Sequence, residues 1–86
     1  MNKDPKYPAW MIKYCGSWNY KPQAESLSAE MKALGFNVII HEGETGQFEI
    51  FKSGKSILSK KDHGDFFTIE DVKKKLEEMG ESFYGE

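Results

Sequence analysis

The segment Lys13-Tyr14-Cys15-Gly16-Ser17-Trp18 carries the only cysteine in 86 residues. The thiolate is the nucleophile of thiol–disulfide exchange, and a strand-to-helix junction suits it because unpaired N–H groups at a helix start stabilise negative charge. Cys15 follows the apolar run Ala9-Trp10-Met11-Ile12 and precedes a stretch with helix signals. Gly16 and Ser17 make the bend, and Gly16 keeps it free of a side chain where a substrate approaches. Lys21, one turn on, adds a positive charge if it folds back. Enzymes of this chemistry place a second sulfur or selenium three residues after the first, within bonding reach. Here that position is Trp18, and an indole cannot take the role. A mixed disulfide on Cys15 then needs an outside thiol to resolve it, and glutathione is the obvious co-substrate.

Position alone leaves two readings of Cys15, since a lone cysteine is often a small buried core residue. The other reactive side chains are weaker candidates. His41 and His63 have neither the spacing nor the clustering of a metal site with Cys15, and no metal or tightly bound cofactor is expected. Lys73-Lys74-Lys75 followed by Glu77-Glu78 reads as a solvated helix face. Lys52, Lys55, Lys60 and Lys61 read as a basic edge that protects strands from pairing. Trp10 and Tyr20 read as core or rim aromatics. Phe66 and Phe67 are adjacent and cannot easily face one core together, so one is expected to be exposed near the cysteine turn as a contact for a protein partner.

The elements that must position these groups are legible from periodicity. Ala9 to Tyr14 reads as a central strand. Pro22 fits a first helical turn, Ala24, Leu27, Met31 and Leu34 share one face, and Gly35 ends the helix. Phe36 to His41 is a second strand, followed by a turn over residues 42–46. Phe48 and Ile50 alternate with Gln47 and Glu49 in a third strand. Ser53-Gly54 forms a tight hairpin into Lys55 to Lys60. Residues 61–67 read as a loop. Thr68 then caps a helix with Ile69, Val72, Leu76 and Met79 on one face and Gly80 at its end. The expected fold is one α/β (α+β) domain over 1–86, in the order β-α-β-β-β-α: a four-stranded mixed sheet with two helices, which is the order of a minimal thioredoxin-like fold. Its core spans about residues 9–79, between a polar lead-in and a fraying tail.

Composition narrows the partners. Twelve basic against fourteen acidic residues give a net charge of −2, which argues against nucleic acid. No stretch approaches a membrane span, and residues 1–5 lack the apolar run of a signal peptide. A cytoplasmic monomer in a reducing compartment is the expectation.

The stretch Tyr14-Cys15-Gly16-Ser17-Trp18-Asn19-Tyr20-Lys21-Pro22 closely resembles the strand-to-helix turn of the selenoprotein W family, where Cys-Gly-x-selenocysteine is followed by Tyr-Lys-Pro. Residues 46–66, GQFEIFKSGKSILSKKDHGDF, resemble that family's Gly-x-Phe-Glu-Val strand, Gly-Lys hairpin, Ser-Lys-Lys strand end and Gly-containing loop. The likeness runs over about residues 9–79 with its pieces in order. It implies a thioredoxin-like fold and glutathione-linked redox chemistry centred on Cys15 and Trp18. Gly16, Ser17, Tyr20, Lys21, Gly46, Phe66 and Phe67 are then the candidate substrate or partner contacts. Like that family, the chain has Thr45-Gly46-Gln47 with no proline for the cis turn that faces the thiol in thioredoxin. The departure is Trp18, at the selenocysteine or second-cysteine position. UGA encodes selenocysteine and is read as tryptophan by some codes, so either Trp18 stands in for selenocysteine or the chain is a natural one-thiol relative. The competing reading is a catalytically silent module of the same fold that docks a protein.

Overall fold

Along β1 (Ala9–Tyr14) every second residue, Trp10, Ile12 and Tyr14, is buried, which is the period-2 alternation of a strand with one covered face. The computed structural model describes residues 9–81, so the lead-in expected over 1–8 and the tail over 82–86 lie outside the described residues. β1 pairs in parallel with β2 (Asn37–Glu42) and antiparallel with β3 (Phe48–Lys52), which pairs in turn with β4 (Lys55–Ser59). The strand order is β2-β1-β3-β4, and the mixed four-stranded sheet is the one the sequence predicts.

Between β1 and β2 the chain crosses over through α1 (Lys21–Ala33), with Pro22 in its first turn. α1 and α3 (Ile69–Met79) touch each other and lie together on one face of the sheet. Ala24, Leu27 and Met31 from α1 and Val72 and Leu76 from α3 meet Trp10, Ile12, Val38 and Ile50 in one apolar cluster. The opposite face carries no helix among the described residues. Ser53 and Gly54 both have positive φ, 52° and 83°, as a type I′ hairpin turn requires.

Four expectations need correction. Residues 60–63, read as strand end and loop, form a one-turn helix, α2 (Lys60–His63), so the described residues hold three helices and not two. The Ser59 side chain accepts the Asp62 N–H at 3.2 Å and Gly64 closes the turn at φ 97°; both are capping signals outweighed in the sequence by the lysines between them. β2 starts and ends one residue later than read, although Phe36 stays buried with its ring edge-on to Trp10 at 5.9 Å. Leu34, assigned to the buried face of α1, is the C-cap residue and is 42% exposed, because α1 stops at Ala33 and Gly35 turns the chain at φ 99°. Lys52 is only 5% exposed and does not belong to an open basic edge. The alternation of β3 points it to the helix side, where its ammonium lies 3.7 Å from the Glu81 carboxylate.

α3 is held at its start by reciprocal bonds. The Thr68 hydroxyl accepts the Asp71 N–H and the Asp71 carboxylate accepts the Thr68 N–H at 2.9 Å. This backbone donation, aided by the Thr68 hydroxyl and by the charges of His63 and Lys74, holds the Asp71 carboxyl below its ordinary 3.8. A carboxyl with a folded pKa below its unfolded value adds stability above the unfolded pKa and loses it as pH falls through the folded one. Asp71→Asn, which removes the titrating carboxyl, is expected to flatten the acid side of the stability profile below pH 4, roughly the ordinary range of the group. Thr68→Ala removes the hydroxyl that caps α3 and is expected to lower stability by about 1 kcal/mol in urea unfolding.

Candidate functional site

Cys15 follows directly on β1, and three backbone bonds fix its place. The Tyr14 carbonyl accepts the Gly43 N–H at 2.7 Å, tying the strand end to the end of β2. Asn19 N–H donates to the Gly16 carbonyl at 3.2 Å and Tyr20 N–H to the Cys15 carbonyl at 3.1 Å, closing a turn over residues 16–19 before α1 begins. Asn19 sits at φ 61°, a left-handed conformation that asparagine tolerates better than most residues.

The Trp18 N–H donates to Cys15 Sγ at 3.3 Å. The N–H on the sulfur thus comes from the turn, and not from the first turn of α1, which starts six residues after Cys15. This is the i, i+3 relation of a two-residue-spaced redox pair, with the backbone of the second position already at the first sulfur. Cys15 itself is 1% exposed, while Gly16, Ser17, Trp18, Asn19 and Lys21 around it are exposed. The thiol is therefore shielded in this conformation although the turn that carries it is open to solvent.

Trp18 is 58% exposed and does not fill the start of the helix. It lies flat enough on Gly46 that a Cβ there would come within 3.1 Å of the ring, and its edge meets Tyr20 at 6.0 Å. Gly46, on the β2–β3 connection, has φ 80°, so only glycine both adopts the bend and leaves room for the indole. Tyr20 continues the contact inward to Phe66 at 4.8 Å and Phe48 at 6.4 Å. Phe66 and Phe67 each pack on Phe48 at 5.0 Å. Phe67 is buried and Phe66 half-buried against the core, so Phe66 is the more open of the two but neither is fully exposed. The structure brings Cys15, Trp18, Tyr20, Gly46 and Phe66 into one neighbourhood.

Three residues of that neighbourhood escaped the sequence reading. The alternation of β3 marks Phe48 only as strand core, yet it underlies Tyr20, Phe66 and Phe67. The Lys60 ammonium lies 5.6 Å from the Tyr20 ring centre and 5.3 Å from that of Phe66, a double cation–π contact. The carboxylate of Glu42 fills the space that a side chain on Gly16 would take. Parallel register pairs Glu42 with Tyr14, so reading β2 to its true end places an acid beside the cysteine turn. Among the described residues no cluster of three metal-ligating side chains occurs, and no helix is long and apolar enough to cross a membrane.

A family model described as the Rdx family matches residues 11–78. Two solved structures share the fold. One is a protein of Bordetella parapertussis, with a TM-score of 0.72 and 21% identity, covering 85% of this chain and 98% of that one. The other is a selenoprotein W-related protein from Vibrio cholerae, with a TM-score of 0.69 and 25% identity, covering 85% of this chain and 96% of that one. No curated protein matches the chain.

Gly46→Ala is expected to lift the indole off the β2–β3 connection. It forces a side chain into a left-handed backbone, a cost of about 1–2 kcal/mol, and into the ring of Trp18. Thermal unfolding reads the cost, and the proton shifts of the Trp18 ring read the displacement. Unchanged ring shifts would count against the contact.

Proposed function

The chain belongs to the Rdx family, and from that premise we propose that its thioredoxin-like redox function runs through Cys15, by glutathione-linked thiol–disulfide exchange. The observation that carries this reading is the Trp18 N–H on Cys15 Sγ within a strand-to-helix turn. An N–H aimed at the sulfur is a donor for the negative charge that sulfur carries during exchange. The Cys15 thiolate attacks one sulfur of a disulfide, whose S–S bond breaks as the other sulfur leaves and takes up a proton. A glutathione thiolate then attacks the mixed disulfide and frees Cys15. If the first disulfide belongs to a substrate, this step leaves the substrate sulfur bonded to glutathione, and a second glutathione thiolate attacks that bond to release the substrate thiol and glutathione disulfide.

The neighbourhood offers glutathione suitable contacts. Beside Gly46 lies a polar hollow of about 270 Å³ lined by Glu44, Thr45, Gln47, Ser59 and Lys61 among others. Its backbone can pair with the tripeptide and Lys61 can face a carboxylate. Trp18 stands at the second redox position, so the chain as it is stops at the mixed disulfide until an outside thiol arrives. Trp18 is then either a stand-in for selenocysteine or the native residue of a one-thiol relative, and the codon at position 18 distinguishes these. The burial of Cys15 favours a second reading, a silent module that docks a protein through residues 15–21 and Phe66.

Two measurements separate these readings. Oxidised glutathione is expected to give one adduct, on Cys15, by mass spectrometry. Trp18→Cys is expected to form an internal disulfide with Cys15 and to gain reductase turnover. The indole is mostly exposed, so the change costs only the ring contacts, about 1 kcal/mol. A folded Trp18→Cys whose sulfurs never pair, together with a Cys15 that takes no adduct, would leave the docking module.

A further inference from the structure

The two outer strands of the sheet are finished differently. β4 carries Lys55 bonded to Glu81, runs straight into α2, and meets β3 with a register irregularity at Ile50–Phe51; these are the devices by which proteins blunt an edge. β2 reads Asn37-Val38-Ile39-Ile40-His41-Glu42, with no lysine, no proline and no bulge. Its backbone polarity follows from the Gly43 N–H that bonds the Tyr14 carbonyl. By alternation, Asn37, Ile39 and His41 aim their backbone groups at β1, while Val38, Ile40 and Glu42 aim theirs outward. Among the described residues nothing pairs with the outward groups of Val38 and Ile40. The His41 ring rests on the Glu42 carbonyl at 3.1 Å and closes the edge beyond them.

On the helix-free face the register aligns Ile39 with Met11 and Met11 with Phe51, an apolar row across three strands that ends at the open edge. Ile39 is 52% exposed there and borders a hollow of about 360 Å³ with Met11, Lys13 and Phe51.

We propose that this edge pairs with β2 of a second copy of the chain, antiparallel and centred on Ile39. The strand is self-complementary about that residue and no other arrangement fits it as well. Side-chain faces match only when the paired numbers have an even sum, because a one-residue slip turns every side chain over. Centring on Ile39 sets Val38 opposite Ile40 of the second copy on the helix side, and both have outward backbone groups, so their N–H and C=O groups pair reciprocally. On the other side it sets Ile39 against Ile39 and Asn37 against His41, with no like charges opposed. The two apolar rows then join into one of six side chains. A twofold contact of this kind is closed and adds no further copies. A contact of one short strand per copy is small, so the dimer is weak and depends on concentration. The inference stands apart from the redox reading, and it departs from the monomer that the sequence suggests.

The test uses the full chain. Sedimentation velocity into the millimolar range is expected to show a monomer–dimer equilibrium that Ile39→Lys moves to monomer, with circular dichroism confirming the fold. Directly opposed residues at the axis bring their Cβ atoms to about 5 Å. Ile39→Cys is therefore expected to give a disulfide-linked dimer under mild oxidation. Asn37→Cys is a control on the same face, because its own copy lies about 13 Å away, four residues along the strand. It is expected to cross-link about tenfold more slowly or less, beyond the roughly 7 Å limit for a disulfide. A monomer at every concentration would overturn the proposal. Equal cross-linking at positions 37 and 39 would overturn it as well.

Discussion

The bond from Gly43 N–H to the Tyr14 carbonyl is the joint on which the reactive end of the molecule depends. It ends the parallel ladder of β1 and β2, and Cys15 is the next residue. The same residue, Tyr14, pairs with Phe48 on its other side, so both neighbours of β1 fix the strand end together. With Tyr14 held from two directions, the chain leaves the sheet at a defined point and direction. The turn then closes on itself through the Tyr20 N–H on the Cys15 carbonyl. The position of the sulfur is therefore a property of the sheet, and α1 begins only after the turn is complete.

From Phe48 a second line of contacts reaches the same surface. Phe48 is a buried residue at the start of β3, and it carries Phe66 and Phe67 from the α2–α3 connection together with Tyr20 from the end of the cysteine turn. Edge-on ring contacts of this kind hold two chain segments far apart in sequence at fixed angles. The Lys60 ammonium over two of the rings adds charge to an apolar patch without burying it. α2 is what presents Lys60 there, which gives a one-turn helix a reason to exist between a strand and a loop.

Much of this was legible in the sequence because the relevant signals are local. Alternation marked β1 and β3, Ser53-Gly54 marked the hairpin, and Thr68 with Gly80 marked both ends of α3. The likeness of residues 14–22 and 46–66 to one family pointed at Cys15, Trp18 and Gly46. What escaped depends on register or on competition between signals. Glu42 meets Gly16 only because β2 runs parallel to β1 at one offset, and a strand end is the least certain part of any reading. Lys52 looks exposed by type, and only the phase of β3 turns it inward. Leu34 fits the apolar spacing of α1, but Gly35 ends the helix before that spacing applies. The source of the N–H on the sulfur follows from the turn at residues 16–19, whose shape rests on a left-handed Asn19 that no periodicity announces.

The two tryptophans differ as completely as two residues of one small domain can. Trp10 is sealed in the core at 1% exposure, whereas Trp18 stands 58% exposed with its backbone on the sulfur. Their emission therefore separates into a blue component set by the fold and a red component set by the solvent around the turn. Any event at the sulfur that opens the turn changes the second and spares the first. The chain carries its own optical gauge of that opening and, within the same spectrum, the reference against which to read it.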